Sequence, residues 1–232
     1  MCGRFVSSNN PEQIASYFGA SFETEPLGEN FNVAPTTDVY GVVADHDHAR
    51  SVRAFHWGLV PSWAKDVRVG SRMINARAET LAEKPSFKRL FATRRLLVPM
   101  AGFYEWKAVP GQKVKQPFFI HRPDGLPLAA AGLWTAWRDP ANEDESAWLH
   151  SCTIVTTAAN RLVSSLHDRM PAFLAPDDWD VWLDPDVHST DVLSRLLVPS
   201  PEALLELVPV STEVNSVRNK GPHLVDRVET VV

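Results

Sequence analysis

Between Val39 and Thr156 the chain repeats one pattern, a short run rich in Val, Leu, Ile and aromatic residues followed by a break at Pro, Gly or Asp. Runs of this kind predict strands at 39–44, 52–57, 95–99, 103–107, 117–121, 128–134 and 148–156. Pro123-Asp124-Gly125 marks a turn between two of them. Outside this region the spacing turns helical. Asn10-Pro11-Glu12 predicts a helix to about Phe18, with Asn10 as N-cap and Pro11 in the first helical position. Further helices are expected at 158–166, 176–183 and 190–197, the second presenting Trp179 and Trp182 on one face. Strands gathered in the middle with helices around them predict an α+β fold, a curled antiparallel sheet approaching a barrel and flanked by short helices. No repeat or low-complexity linker divides the chain, so residues 1–232 read as a single domain.

Composition narrows the picture. No apolar run approaches the length needed to span a bilayer, and the start lacks a charged region followed by an apolar one, so a cytosolic protein is expected, nuclear if the source has a nucleus. Two cysteines, Cys2 and Cys152, exclude a disulfide framework, and the scattered histidines lack zinc-site spacing. Neither metal nor cofactor is expected, and a monomer is assumed. The formal net charge of −5 conceals an asymmetry. From Arg50 to Lys107 there are twelve Lys or Arg against four acids, a local +8 suited to a phosphate backbone.

Cys2 carries the most chemistry. Once Met1 is removed, as happens before small side chains, Cys2 owns a free α-amine beside its thiol. Both can add to one aldehyde carbon and close a five-membered thiazolidine ring. Cys152, in the apolar run Cys152-Thr153-Ile154-Val155, reads as a core thiol. Glu105 lies inside Gly102-Phe103-Tyr104-Glu105-Trp106-Lys107, where flanking aromatics are expected to desolvate the carboxyl and raise its pKa for acid–base work. The opposite reading is a strand carboxylate facing solvent. Alternation puts Asn75 and Arg77 on one strand face, able to address one polar ligand, or else Arg77 pairs with Glu79. His167-Asp168-Arg169 before Met170-Pro171 offers a proton-transfer group and a phosphate ligand. Trp63, in the Pro- and Gly-shaped loop Trp57–Trp63, is placed to stack on unpaired bases.

Taken in order, Met1–Phe5, Phe31–Pro35, Trp57–Trp63, Ile74–Thr80, Gly102–Lys107, Gln116–Ile120, Ile154–Thr156, His167–Pro171 and Val214-Asn215 to Gly221-Pro222 resemble the SOS response-associated peptidase (SRAP) family. The resemblance implies recognition of abasic sites in single-stranded DNA and a covalent thiazolidine crosslink through Cys2 that protects the lesion. It implies Cys2 as nucleophile, Asn75 orienting the N-terminus and the sugar, Glu105 serving ring opening and reversal, and His167 serving Schiff-base and thiazolidine formation. Arg4, Arg77 and Arg169, with Thr156 in a lesser role, become phosphate or sugar contacts. Trp63 and Pro35 become part of a wedge against a paired strand. Some members carry a second aromatic where this chain has Ala64. The chemistry implied is of lyase or peptidase type, with cleavage extending no further than Met1. Two other readings compete. One is an N-terminal-nucleophile cysteine amidohydrolase or peptidase, since class II glutamine amidotransferases also begin Met-Cys-Gly. The other is a non-catalytic binder of single-stranded or modified DNA.

Overall fold

Each apolar run becomes a strand whose two faces feed different cores. The computed structural model describes residues 2–141, 144 and 147–229. Met1, whose removal the sequence reading requires, lies outside the described residues. Along the chain come β1 (Phe5–Ser7), α1 (Pro11–Phe18), β2 (Ala20–Phe22), β3 (Asn30–Val33), β4 (Asp38–Ala44) and β5 (Arg50–Trp57). Next are β6 (Asn75–Arg77), α2 (Pro85–Thr93), β7 (Arg95–Met100), β8 (Gly102–Lys107), β9 (Gln116–His121), β10 (Leu128–Arg138) and β11 (Trp148–Ala158). The remainder holds α3 (Arg161–Ser164), β12 (Arg169–Pro171), α4 (Trp179–Leu183), α5 (Thr190–Leu196) and β13 (Glu206–Pro209).

The expected curled sheet closes completely. Antiparallel pairing runs β11-β10-β7-β4-β5, and parallel pairing of β5 with β11, Ser151 opposite His56 and Cys152 opposite Trp57, shuts the ring. Closure removes the exposed strand edges of an open sheet. A second sheet, ordered β13-β9-β8-β1-β3, packs on the barrel. Alternation sends Leu96, Val98 and Met100 of β7 into one core with Phe5, Phe103 and Ile120 of the second sheet. Leu97 and Val42 face the other way, under α1, α2 and the Trp179–Leu183 helix. Trp182, fully buried there, donates its indole N–H to the Leu96 carbonyl at 2.9 Å.

Local chemistry explains most element ends. Asn10 caps α1 by accepting from Gln13 N at 2.8 Å while the Gln13 side chain accepts from Asn10 N. The helix expected at 158–166 is shorter, because Ala158 still pairs in β11 with Arg169 and the turn begins only after the N-cap Asn160. α2 was not anticipated from the sequence, although Pro85 opens it and Phe87, Leu90 and Phe91 form its buried stripe. After β5 the backbone turns at Gly58, with φ of 133°, against the Gly70 carbonyl, which a Cβ would approach to 2.8 Å. Only glycine fits there, and the turn sets the path of the loop bearing Trp63.

Candidate active site

Chain termini usually fray unless something ties them down. Here β1 is held inside a sheet, with Phe5 opposite Val33 on one side and Phe103 on the other. Its ring meets Trp57 edge-on at 5.1 Å. Cys2 therefore enters a fixed setting. It is fully buried, and its carbonyl accepts from Asn75 Nδ2 at 2.7 Å. Asn75 reaches it because β6 adds in parallel to β11, Asn75 opposite Ile154, and because Trp57 Nε1 donates to the Ile74 carbonyl at 3.0 Å. The buried Asn75 Oδ1 has no hydrogen-bond partner among the described residues, an arrangement that proteins rarely leave without a ligand or a purpose.

Burial first, and then the nearby Glu105 charge, push the Cys2 thiol up to about 12. Cys152 is buried too and its thiol is also raised, chiefly by desolvation. Burial alone thus does not separate a reactive thiol from a packed one. What separates them is the polar company, since Cys2 has Asn75 on its carbonyl and Glu105 in its field.

Glu105 is 4% exposed, so the outward-facing alternative is wrong. Burial raises its carboxyl to about 7, opposed by the charge at the amino terminus and by Lys115. The expected cause needs correction. Neighbours along a strand point to opposite faces, and Tyr104 packs away from Glu105 against Phe119. Glu105 instead shares the face of Phe103, which lies in the same core as Cys2.

His167 follows α3 and precedes β12. Burial lowers its pKa, as does the amino-terminal charge, while Asp168 opposes both. Its Nδ1 lies 3.0 Å from Arg169 N and 2.8 Å from Asp168 Oδ1. One nitrogen cannot accept from the first and donate to the second together. Where Nδ1 accepts from Arg169 N–H, the neutral ring carries its proton on Nε2, and where the ring is protonated its Nδ1–H has Asp168 Oδ1 within reach.

An open pocket of about 440 Å³ beside Cys2 has Gly3, Arg4, Glu105, Lys115, His167 and Asn215 in its wall, while buried Cys2 and Asn75 do not themselves line it. Arg4 donates from Nη1 to Asn32 Oδ1 at 2.7 Å and to the Val214 carbonyl at 2.9 Å, and its guanidinium lies 5.8 Å from the Trp106 ring centroid. Trp106 Nε1 in turn donates to Asn215 Oδ1 at 2.7 Å. Sequence reasoning missed Lys115, Asn32 and Asn215 as site residues. Asn32 alone carried a usable signal, a polar side chain in a run expected to be buried.

The remaining candidates are not all gathered here. Arg77 is exposed on the Asn75 side of β6, clear of the core that Ala76 enters. It is Arg169, not Arg77, that binds Glu79, through two bonds of 2.6 and 2.9 Å, and Arg169 Nη2 also donates to the Thr156 carbonyl at 2.6 Å. Both terminal nitrogens of Arg169 are thus engaged within the protein. Thr156 is fully buried, as Cys2 is, and its carbonyl helps to hold the Arg169 guanidinium in place. Pro35 is half-buried in the turn after β3, and Trp63 lies 68% exposed in the loop after β5. The basic segment is not one patch either. Arg50, Arg53 and Arg68 pair with Asp180, Glu23 and Asp66, and buried Arg95 donates to the carbonyls of Phe91, Trp182 and Asp184. Among the described residues, His48, Asp184 and Asp186 bring possible metal-ligand atoms within 4.8 Å of one another, but none of them lines the Cys2 pocket.

A model of the SOS response associated peptidase (SRAP) family matches residues 1–217. The chain is 38% identical over 229 residues to the abasic site processing protein YoqW of Bacillus subtilis, covering 97% of this chain and 99% of that one. It is 32% identical over 237 residues to the abasic site processing protein YedK of Escherichia coli, covering 98% and 100%. A solved protein structure from Bacteroides thetaiotaomicron superposes with a TM-score of 0.85 at 25% identity, covering 98% of this chain and 100% of that one. With Cys2-Gly3-Arg4 leading into a strand locked in the sheet and the family match spanning residues 1–217, the chain belongs to the SOS response associated peptidase (SRAP) family.

Proposed function

We propose that this protein processes abasic sites, capturing the open-chain aldehyde in single-stranded DNA as a thiazolidine on Cys2 after loss of Met1. The observation that carries this reading is the placing of Asn75 on the Cys2 carbonyl with Glu105 on the same core face, in a chain whose relatives are named for abasic-site processing.

An abasic deoxyribose is mostly a closed hemiacetal, so the ring must open before anything can be trapped. A carboxyl near 7 is about half ionised at neutral pH and can both take and return the proton that ring opening moves. The Cys2 amine then adds to the aldehyde carbon and water leaves, giving an imine. The thiol adds to that carbon, its proton passing to the nitrogen as the C–S bond forms, and one water is lost overall. A thiol raised to about 12 stays protonated until a base removes its proton, which is the second task for Glu105. Neutral His167, with its proton on Nε2, can donate to the sugar oxygen or the departing water. Asn75 Oδ1 accepts from the amine or from a sugar hydroxyl. Ring closure by sulfur also diverts the imine from the strand-cleaving elimination that a lyase would complete.

Exposed Arg77, beside Asn75, is the phosphate contact in this reading. Arg77→Ala is expected to weaken binding and to lower the slope of log affinity against log salt by ~0.7, the value per phosphate on single strands. An unchanged slope in fluorescence-anisotropy titrations would remove that role. The reading as a whole is tested by incubating the protein with single-stranded oligonucleotides that contain or lack one abasic site. A heat- and detergent-stable adduct confined to the abasic strand is expected, and its absence overturns the proposal. No helix among the described residues is long and apolar enough to cross a membrane.

A further inference from the structure

A second concavity lies along the barrel from the Cys2 pocket. The loop after β5, helix α2 and strands β10 and β11 enclose about 360 Å³, with Pro61, Trp63, Pro85, Arg89, Arg94 and Trp148 among the lining residues. Trp63 and Trp148 are 68% and 55% exposed, the only exposed tryptophans among the described residues. Leaving two large aromatic faces in water is a cost that a monomeric surface seldom carries without use.

The charges point the same way. Neither Arg89 nor Arg94 forms an ion pair among the described residues, and no carboxylate is among the described residues lining the cleft. The Arg94 guanidinium lies 4.9 Å from the Trp134 ring centroid, which fixes it in place. Burial, and then repulsion from Arg89, lower its pKa, so the two cations stand within each other's field. Flat aromatic faces beside unpaired cations suit a chain that presents bases and phosphates together.

We propose that this cleft is a second subsite for single-stranded DNA, in which unpaired bases stack on Trp63 and Trp148 while Arg89 and Arg94 hold backbone phosphates. It rests on the reading that the Cys2 pocket takes an abasic single strand. Trp148 and Ile154, the partner of Asn75, lie on the same strand. At ~3.3 Å per residue they are ~20 Å apart. That span corresponds to about six stacked nucleotides at ~3.4 Å each.

The test uses the full-length protein and two series of oligonucleotides, one carrying an abasic site and one undamaged, with unpaired flanks lengthened in single steps on either side. Affinity should rise as one flank reaches about six nucleotides and then level off. Trp148→Ala and Arg89→Gln should each remove roughly fivefold or more of that gain, the scale of one stacked base. Their crosslinking rate on a short abasic oligonucleotide at saturation should be unchanged, which also shows that the variants fold. A gain that survives both substitutions, or no gain on lengthening, overturns the subsite. So does a gain that requires a duplex flank, or Trp148 fluorescence quenched by an acidic peptide and not by DNA. If wild type fails to crosslink the short abasic oligonucleotide while the length effect and its loss in the variants persist, the Cys2 reading fails and this subsite stands.

Discussion

Cys2→Ala is expected to fold normally and to form no heat-stable adduct with abasic DNA. The substitution removes only the sulfur atom from a small buried side chain, so β1 keeps its pairing with β3 and β8, and core losses of this size cost on the order of 1–2 kcal/mol. What disappears is the atom that closes the ring. The remaining α-amine still gives an imine, which water reverses, so any product should vanish on heating unless a hydride reductant traps it. Cys2→Ser should give at most a labile oxygen analogue. Cys152→Ala should react like wild type, because Cys152 lies within β11, where its thiol has no α-amine beside it to close a ring on an aldehyde. Denaturing gels of the four proteins with one abasic oligonucleotide check this, and a persistent adduct on Cys2→Ala would sink the assignment.

The second large effect belongs to Glu105. Glu105→Gln keeps the size and much of the hydrogen bonding but cannot carry a proton between states. Positioned acid–base groups contribute roughly 10²–10⁴-fold, so adduct formation and its reversal should each slow by about a hundredfold or more. Reversal is read as transfer from a preformed adduct to excess competing abasic DNA. Wild type should change rate through about pH 7, where the carboxyl titrates, and the Gln variant should lose that inflection. Stability carries a second readout. Because the folded carboxyl sits near 7 instead of near 4.5, the fold favours its protonated form. That preference stabilises fully below the ordinary carboxyl range and is lost as pH rises through about 7. Gln has no such loss, so at about pH 9 the variant should melt at least as high as wild type. Equal rates for both proteins from about pH 5 to about pH 9 would return Glu105 to a structural role and make His167 the leading proton-transfer group.

How much of this was legible in the sequence depends on whether the signal was local. Asn10-Pro11 announced α1, and the apolar runs announced β4, β5, β7, β8, β9, β10 and β11, because periodicity and caps are written within a few residues. Barrel closure was not legible, since the parallel pairing of Cys152 with Trp57 joins segments with no turn between them. The same holds for β6 against β11, which delivers Asn75 to Cys2. Side-chain partners over long separations were misread in step with this. Glu79 found Arg169 instead of Arg77, and Arg50, Arg53 and Arg95 of the basic segment proved to be paired or held by residues far along the chain. Lys115 left no trace because a lysine in a polar loop looks like any other. Glu105 was found for a partly wrong reason, its desolvation coming from the Cys2 face of the strand and not from Tyr104.

The most direct test of the central claim is to react the protein with an oligonucleotide bearing one abasic site, then measure the intact mass and map the linked peptide. The mass should equal the chain without Met1 plus the oligonucleotide less one water, with the link on Cys2 through both nitrogen and sulfur. A link at a lysine such as Lys115, or the same stable adduct on a chain that keeps Met1, would contradict it.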